Sequence, residues 1–551
     1  MDINEAPVPI SEPPAAEGYI PPEEPSTPAA SGAAAGATAG IATGAALIAL
    51  GNVGSRLLGM VREMALFRYY GASGMVSAFT VAAQVPQLLY DMLIGGLISS
   101  ALVPVFSEYA ERSDDELSEV VSIVLSISVF ITMVVAIALS VGAATVATLI
   151  GGGLPQEYLD AAVGLLKITS LSIVFLGLSG VISGVLFAMR RFVLPAFVVM
   201  VFNAALIVAI VVSRGNSIAV AASGLVIGAL LQVVLQLPGL RGLKVRFRLD
   251  WRHPALRRIA LLYLPMLLGI AVAQFGALLD RRLASGVHPQ AIAWMRAATT
   301  LQQFPQGLVT TAVSMAALPT LARQANDLPA FRRTLGVALR MVLVLIVPMV
   351  VALFLMAEPA VALIFQRGLF LPEDTAQTSQ ALRVYLLGLP FAAIDLPLVY
   401  AFYARNDTLT PNLVAILGVI AYLVVALPLI APLGFIGLVA ANSAQLTAHA
   451  LVMLYLAHRR FDALRGQAFL QTFLKLGIAT LGMALAVVAI QVALPASVTG
   501  ILRTASEVFG GIILGSVVFL TLARILRIAE LETIGRRVAE RVRPGLTRPS
   551  T

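Results

Sequence analysis

Arg56, Arg62 and Glu63 stand inside an apolar stretch, GSRLLGMVRE at 54–63. An ionised group at a bilayer centre costs at least about 3 kcal/mol, so such residues face a wet cavity or each other. Arg56, Gly59 and Glu63 follow i, i+3, i+7 spacing and share one helix face. Arg56 and Glu63 are two turns apart, roughly 10 Å, with the glycine leaving room between them. Arg62 sits beside that stripe. A second apolar stretch adds Gln84, Gln87 and Asp91, and a later one carries Arg296, Thr300, Gln303, Gly307, Thr310 and Ser314. Turned inward, these stripes enclose a hydrated, net-basic cavity, and the chemistry of such a cavity is charge-assisted recognition of an anionic headgroup. The competing reading is helix–helix glue or snorkelling to the interface. It fits Arg68, Asp280, Arg281 and Arg282, which lie near the outer ends of their helices.

The elements that position these residues are membrane spans. The chain has 551 residues, 59% hydrophobic and 12% charged, with a mean hydropathy of +0.92. Apolar runs of roughly 20 residues, enough to cross a bilayer, recur from residue 40 to 526. They are too long for barrel strands, so the expected class is an all-α polytopic membrane protein of about fourteen spans. The spans read as 41–67, 76–106, 119–150, 158–189, 193–213, 217–240, 257–286, 289–322, 333–365, 375–404, 409–431, 435–457, 468–493 and 499–523. Residues 1–38 are rich in Pro, Ala, Gly and Glu and hold no Lys or Arg, which predicts a disordered tail rather than a signal peptide.

Basic residues fill the loops after even-numbered spans: Arg190 and Arg191, the run from Arg241 to Arg258, Arg323 to Arg333, Arg405, Arg459 to Arg465, and the tail from Arg524. The opposite loops hold few. The positive-inside rule places both termini in the cytoplasm. Charge spread over loops is not a nucleic-acid signature, and no nucleic-acid partner is expected.

The chain also repeats itself. QVPQLL at 84–89 matches QFPQGL at 303–308, and SSALVP at 99–104 matches SMAALP at 314–319. The spacing differs by four residues, about one helical turn. Two parallel six-span halves follow, with a substrate site where they meet. Gln84, Gln87 and Gln303 join the arginines as candidate substrate contacts. Pro86 and Pro305 are expected kinks, as natural for hinges as for static bends, and with Gly59 they are candidate gate residues.

Several motifs now resemble one family. IFQRGLFLPEDTAQTSQALRVYLLGLP with FYARNDTLTP, SRLLGMVRE at 55–63, RRFVLPA at 190–196 with Asn203, LDWRHPALRRI at 249–259, LLDRRLASG at 278–286 and GFIGLVAANS at 434–443 resemble the MurJ (MviN) lipid II flippases. These belong to the multidrug/oligosaccharidyl-lipid/polysaccharide exporter superfamily. The resemblance runs in order over roughly 40–530. It implies a bacterial inner-membrane protein with a lobe of spans one to six at 39–240, a lobe of spans seven to twelve at 241–460 and a final pair at 461–526 forming a lipid-tail groove; the disordered tail at 1–38 and the basic tail at 527–551, read from composition, lie outside it. It further implies alternating-access movement of an undecaprenyl-diphosphate-linked precursor, with Arg56 and Arg62 on the substrate and Glu63 in gating. Ser77, Tyr90, Asp91, Gly95, Thr299, Thr300 and Gln303 depart from the charged residues usual in that family. Arg296, one turn before Thr300 on the same face, is no part of the family pattern but is placed to restore a charge there.

Other classes fit less well. An exporter of another lipid-linked oligosaccharide or of drugs would use the same fold. An embedded glycosyltransferase or phosphatase would need more than SDDE at 113–116, read here as a solvated loop. His253, His288, His449 and His458 are scattered without metal-ligand spacing, and there is no cysteine. No enzyme, cofactor or metal is expected. The driving force is sodium, protons or membrane potential, with Asp395 the titratable candidate. Expected partners are the lipid-linked diphosphate, membrane lipids and the cell-wall synthesis machinery.

Overall fold

The computed structural model describes residues 50–91, 98–495, 497 and 499–532, and among these there is no β-strand. The expected tail at 1–38, Gly95 and most of the tail at 527–551 lie outside the described residues. The rods are α1 (50–70), α2 (Gly74–Tyr90, resumed as Val103–Arg112), α3 (Asp114–Val141), α4 (Gln156–Ser170 and Ser172–Ala188), α5 (Val193–Ser213), α6 (Ile218–Gln236) and α7 (Pro254–Ser285). Next come α8 (Ala291–Pro305, resumed as Thr311–Arg323), α9 (Leu328–Leu355), α10 (Pro372–Ala404), α11 (Leu409–Leu433), α12 (Phe435–Phe461), α13 (Phe469–Ala493) and α14 (Gly500–Ile525).

Ten of the described helices are long and apolar enough to cross a membrane, which makes this a multi-pass membrane protein. The other rods are α1, α2, α7 and α8; α8 is divided by a π-helical stretch into helices of 15 and 13 residues, and α1, α2 and α8 bear the polar stripes.

Two spans are broken where one was expected. Gly142 ends α3 before a short helix Ala143–Gly151, and Met356 ends α9 before Ala357–Phe365. The SDDE segment is not a loop. Ser113 caps α3 by accepting from the Glu116 N–H at 3.1 Å, and Asp114, Asp115 and Glu116 fill the first turn, where the helix dipole favours acids.

The linker between α6 and α7 runs extended along α3. Backbone N–H groups of Lys244, Arg246 and Arg248 donate to Ser118, Ser122 and Ser126 hydroxyls at 3.2, 3.0 and 2.9 Å. Three serines one turn apart thus take the polar edge of a strap that has no sheet partner. The inner half of α7 stays with the first half of the chain: Ala255, Ile259 and Tyr263 join a core with Val105, Phe106 and Val185, and Arg258 pairs with Glu108.

At the outer end the halves close on each other. The Gly153 N–H donates to Ser285 Oγ at 3.1 Å, and the Leu369 N–H donates to the Arg68 carbonyl at 3.0 Å. Phe67 packs edge-on against Phe365 and Phe370, with centroids 5.2 and 5.4 Å apart. A single core cluster runs from Leu66 in α1 to Ala463 beyond α12 across this seam.

Candidate functional site

Beneath that seam lies a polar cavity of about 400 Å³ between α1, α2, α5, α6, α7 and α8. Glu63 is 2% exposed, and it lies on the same face of α1 as the cavity because α1 turns its other face to hydrocarbon. A buried carboxylate must be paired. Glu63 Oε1 accepts from Arg62 Nη2 at 2.7 Å and from Arg296 Nη2 at 2.8 Å, while Oε2 accepts from Arg296 Nε at 2.8 Å. The guanidiniums are in turn held in place: Arg62 Nη1 donates to Asn203 Oδ1 at 2.8 Å, and Arg296 Nη1 donates to Thr80 Oγ1 at 3.0 Å. One carboxylate on α1 thereby joins an arginine of its own helix to an arginine more than 200 positions away.

Arg62, Glu63, Gln84, Gln87, Arg296 and Gln303 all line this cavity, as the sequence stripes require. Thr299 and Thr300 complete the α8 wall. Arg56 does not line it. Its exposed guanidinium lies against Gly307, where only a residue without a Cβ leaves space. Gly59 approaches nothing closely, since a Cβ there would meet no atom within 4 Å. Pro86 is buried within α2, and Pro305 is the last α-helical residue before a π-helical stretch, Gln306–Thr310. A proline followed by a π-turn is a recognised origin of a kink. Ile98–Leu102 in α2 is π-helical too. The four extra residues of the first repeat copy fall around 92–97, outside the described residues.

The structure corrects one assignment and adds others. Arg281 does not snorkel outward; it lines the cavity, its Nε is buried with no partner, and Nη1 reaches Asp280 at 3.3 Å. The α7 end turns inward because Asp280 is anchored by the Tyr422 hydroxyl, which donates at 2.8 Å. Asn203 and Thr80 were missed as contacts. Asn203 carried a signal, being the lone amide in the apolar α5. Thr80 carried none. Asp395 lies outside this cavity, 2.8 Å from His449 Nδ1 in a bond between α10 and α12.

A second cavity, of about 590 Å³, adjoins the first and is almost wholly apolar. Its lining includes Met60 of α1, Leu301, Phe304 and Pro305 of α8, and Gly511, Gly515 and Phe519 of α14. Helices α1 and α8 therefore show polar side chains to one cavity and apolar side chains to the other. They form the wall between a charged chamber and a hydrocarbon-lined groove. Three guanidiniums against one carboxylate give the chamber a net positive lining, suited to an anion.

Comparison with known proteins gives the following. A family model described as lipid II flippase MurJ matches residues 66–505. A "Probable lipid II flippase MurJ" of Haemophilus influenzae is 30% identical over 422 residues, 72% of this chain and 82% of that protein. The "Lipid II flippase MurJ" of Burkholderia cenocepacia is 31% identical over 381 residues, 66% of this chain and 73% of its own length. Among solved structures, a lipid II flippase MurJ in an inward closed conformation superposes with a TM-score of 0.75 at 24% identity, covering 87% of this chain and 98% of that one. An inward-facing multidrug transporter of the MATE family gives a TM-score of 0.64 at 14% identity, covering 75% and 95%. The two structural likenesses speak for the fold.

Proposed function

Because the chain belongs to the MurJ lipid II flippase family, we propose that it carries the lipid-linked peptidoglycan precursor, an undecaprenyl-diphosphate lipid, from the inner to the outer leaflet by alternating access. It is a transporter and not an enzyme. The observation that carries the cargo assignment is the wall made by α1 and α8. A molecule that is a diphosphate at one end and a long hydrocarbon at the other matches a cationic chamber and an apolar groove on the two faces of one helix pair. The headgroup sits among Arg62, Arg281 and Arg296, the tail runs in the groove beside α14, and Arg56 stands exposed at Gly307 in the passage between.

In this reading α1, α2, α7 and α8 also cross the membrane, giving fourteen spans with both termini cytoplasmic, as the loop arginines dictate. The two halves meet at the outer seam in one state and part there in the other, and Glu63 is the counter-ion that the diphosphate displaces. The cell-wall synthesis machinery makes and consumes the cargo and is the natural partner. The test is complementation of a bacterium depleted of its own flippase, with surface expression checked in parallel. Growth is the expected result, and lysis despite normal expression would sink the assignment.

Asp395 and His449 form the only carboxylate–histidine pair among the described ion pairs, and they lie within the membrane. We assign them to ion coupling. Asp395→Asn should reduce transport severalfold and flatten its dependence on pH or sodium, with the melting temperature little changed. Full transport with unaltered ion dependence would leave the pair a helix–helix bond.

A further inference from the structure

A third concavity lies at the opposite end of the groove from the outer seam. It holds about 320 Å³ and is walled by α9, by the 466–475 segment that enters α13, and by residues 527–530 beyond α14. Four cations line it: Arg333 and Arg340 from α9, Lys475 from α13, and Arg527. Glu530 is the one carboxylate in the lining, and Arg340 takes it, with Nε donating to Oε1 at 2.7 Å. Arg340 Nη1 also donates to the Gln467 carbonyl at 2.6 Å and to Gln467 Oε1 at 2.9 Å, which ties the walls together.

Arg333, Lys475 and Arg527 then have no carboxylate partner among the described residues. Lys475 Nζ reaches only the Arg527 carbonyl, at 3.3 Å. Three uncompensated cations from three separate segments face one small volume. Like charges gathered in a concavity repel unless an anion joins them.

What lies above the pocket narrows the anion. Arg340 lines the pocket and Val344, one turn further along α9, lines the apolar groove. On the opposite wall Glu530 lines the pocket and Leu531 the groove. Phosphate chemistry and hydrocarbon chemistry are thus stacked one turn apart, away from the central chamber. A free anion would use half of this arrangement. A lipid uses all of it.

We propose that this foot pocket binds the phosphate of a lipid headgroup in the cytoplasmic leaflet, with the lipid's chains entering the groove above. The proposal rests on the orientation given above, which puts α9's first turns and the 466–475 segment on the cytoplasmic side. Two sources supply that chemistry, a resident anionic phospholipid and the diphosphate carrier lipid on its way to the chamber.

The test is native mass spectrometry of the full-length protein in detergent, with phosphatidylglycerol as the first probe. Juxtamembrane cations each contribute enough that neutralising one weakens anionic-lipid binding about fivefold. Lys475→Gln and Arg527→Gln should each lower retention by about that factor, and together by about its square. Lys244→Gln, an equal charge loss on the strap along α3, should change nothing. Dioleoylglycerol, which has the chains without the phosphate, should not be retained, and millimolar inorganic phosphate should not displace phosphatidylglycerol. Undecaprenyl diphosphate is the second probe. Displacement of phosphatidylglycerol by it assigns the pocket to cargo loading, and no displacement assigns it to a resident phospholipid; either supports a lipid phosphate here. Retention unchanged in the Lys475→Gln, Arg527→Gln double variant would overturn the proposal, as would ready displacement by inorganic phosphate. Arg62→Ala should leave phosphatidylglycerol retention intact, so loss of transport in that variant and loss of lipid at the foot are separable results.

Discussion

Arg296→Ala should abolish complementation and lower the melting temperature of the purified protein. Arg296 supplies two of the hydrogen bonds that neutralise Glu63, and it also holds Thr80. The pair is well buried, with side-chain exposures of 17% and 3%. Removing one member of a buried pair costs up to about 3–5 kcal/mol when the other is left alone; Glu63 keeps its bonds to Arg62, so the loss should be smaller than that. Transport should be lost all the same, because one of the cargo's cations is missing. Thr300→Arg, one turn along the same cavity wall, should restore transport in the Arg296→Ala background. Arg62→Lys should complement only partly: Arg62 uses Nε and Nη2 on Glu63 and Nη1 on Asn203, a planar set that an ammonium cannot reproduce. A well-expressed Arg296→Ala that complements fully would mean the cluster is scaffolding and the anion binds elsewhere.

The spans and most of the chamber were legible because lipid makes charge costly. Any arginine or glutamine at mid-span announces an inward face, and Arg62, Glu63, Gln84, Gln87, Arg296 and Gln303 obeyed that rule. Arg281 escaped it because a residue near a span end has two outlets, the interface and the interior, and sequence position does not choose between them. Tyr422 on α11 does, by anchoring Asp280 next door. Arg56 escaped for the opposite reason. It shares a face with Glu63, but two turns lower that face meets Gly307 and no longer the chamber. The serine ladder under the linker was invisible because Ser118, Ser122 and Ser126 read as tolerated polar residues in an apolar helix, and their partners are backbone N–H groups. Backbone partners leave no side-chain signature.

Gly153→Val should trap the transporter with its outer seam parted. A Cβ on Gly153 would overlap the backbone of Gly286 and the end of Ser285, and backbone cannot swing aside as a side-chain tip can. The same substitution also disturbs the Gly153 N–H to Ser285 Oγ bond that closes the seam. Alternating-access states differ by a few kcal/mol, so even about 3 kcal/mol of overlap shifts their ratio more than a hundredfold. The chain contains no cysteine, so a thiol placed at Thr300 in the chamber reports access without competition. With an impermeant maleimide outside intact cells, Thr300→Cys should be silent alone and should label in the Gly153→Val background, where transport is lost. Gln156→Cys, exposed near the outer loop, should label in both backgrounds. Gly242→Cys, in open space on the linker before α7, should label in neither. Labelling at Gly242 with silence at Gln156 would invert the topology. Transport and Thr300 protection both unaffected by valine would show that the halves do not separate at this seam.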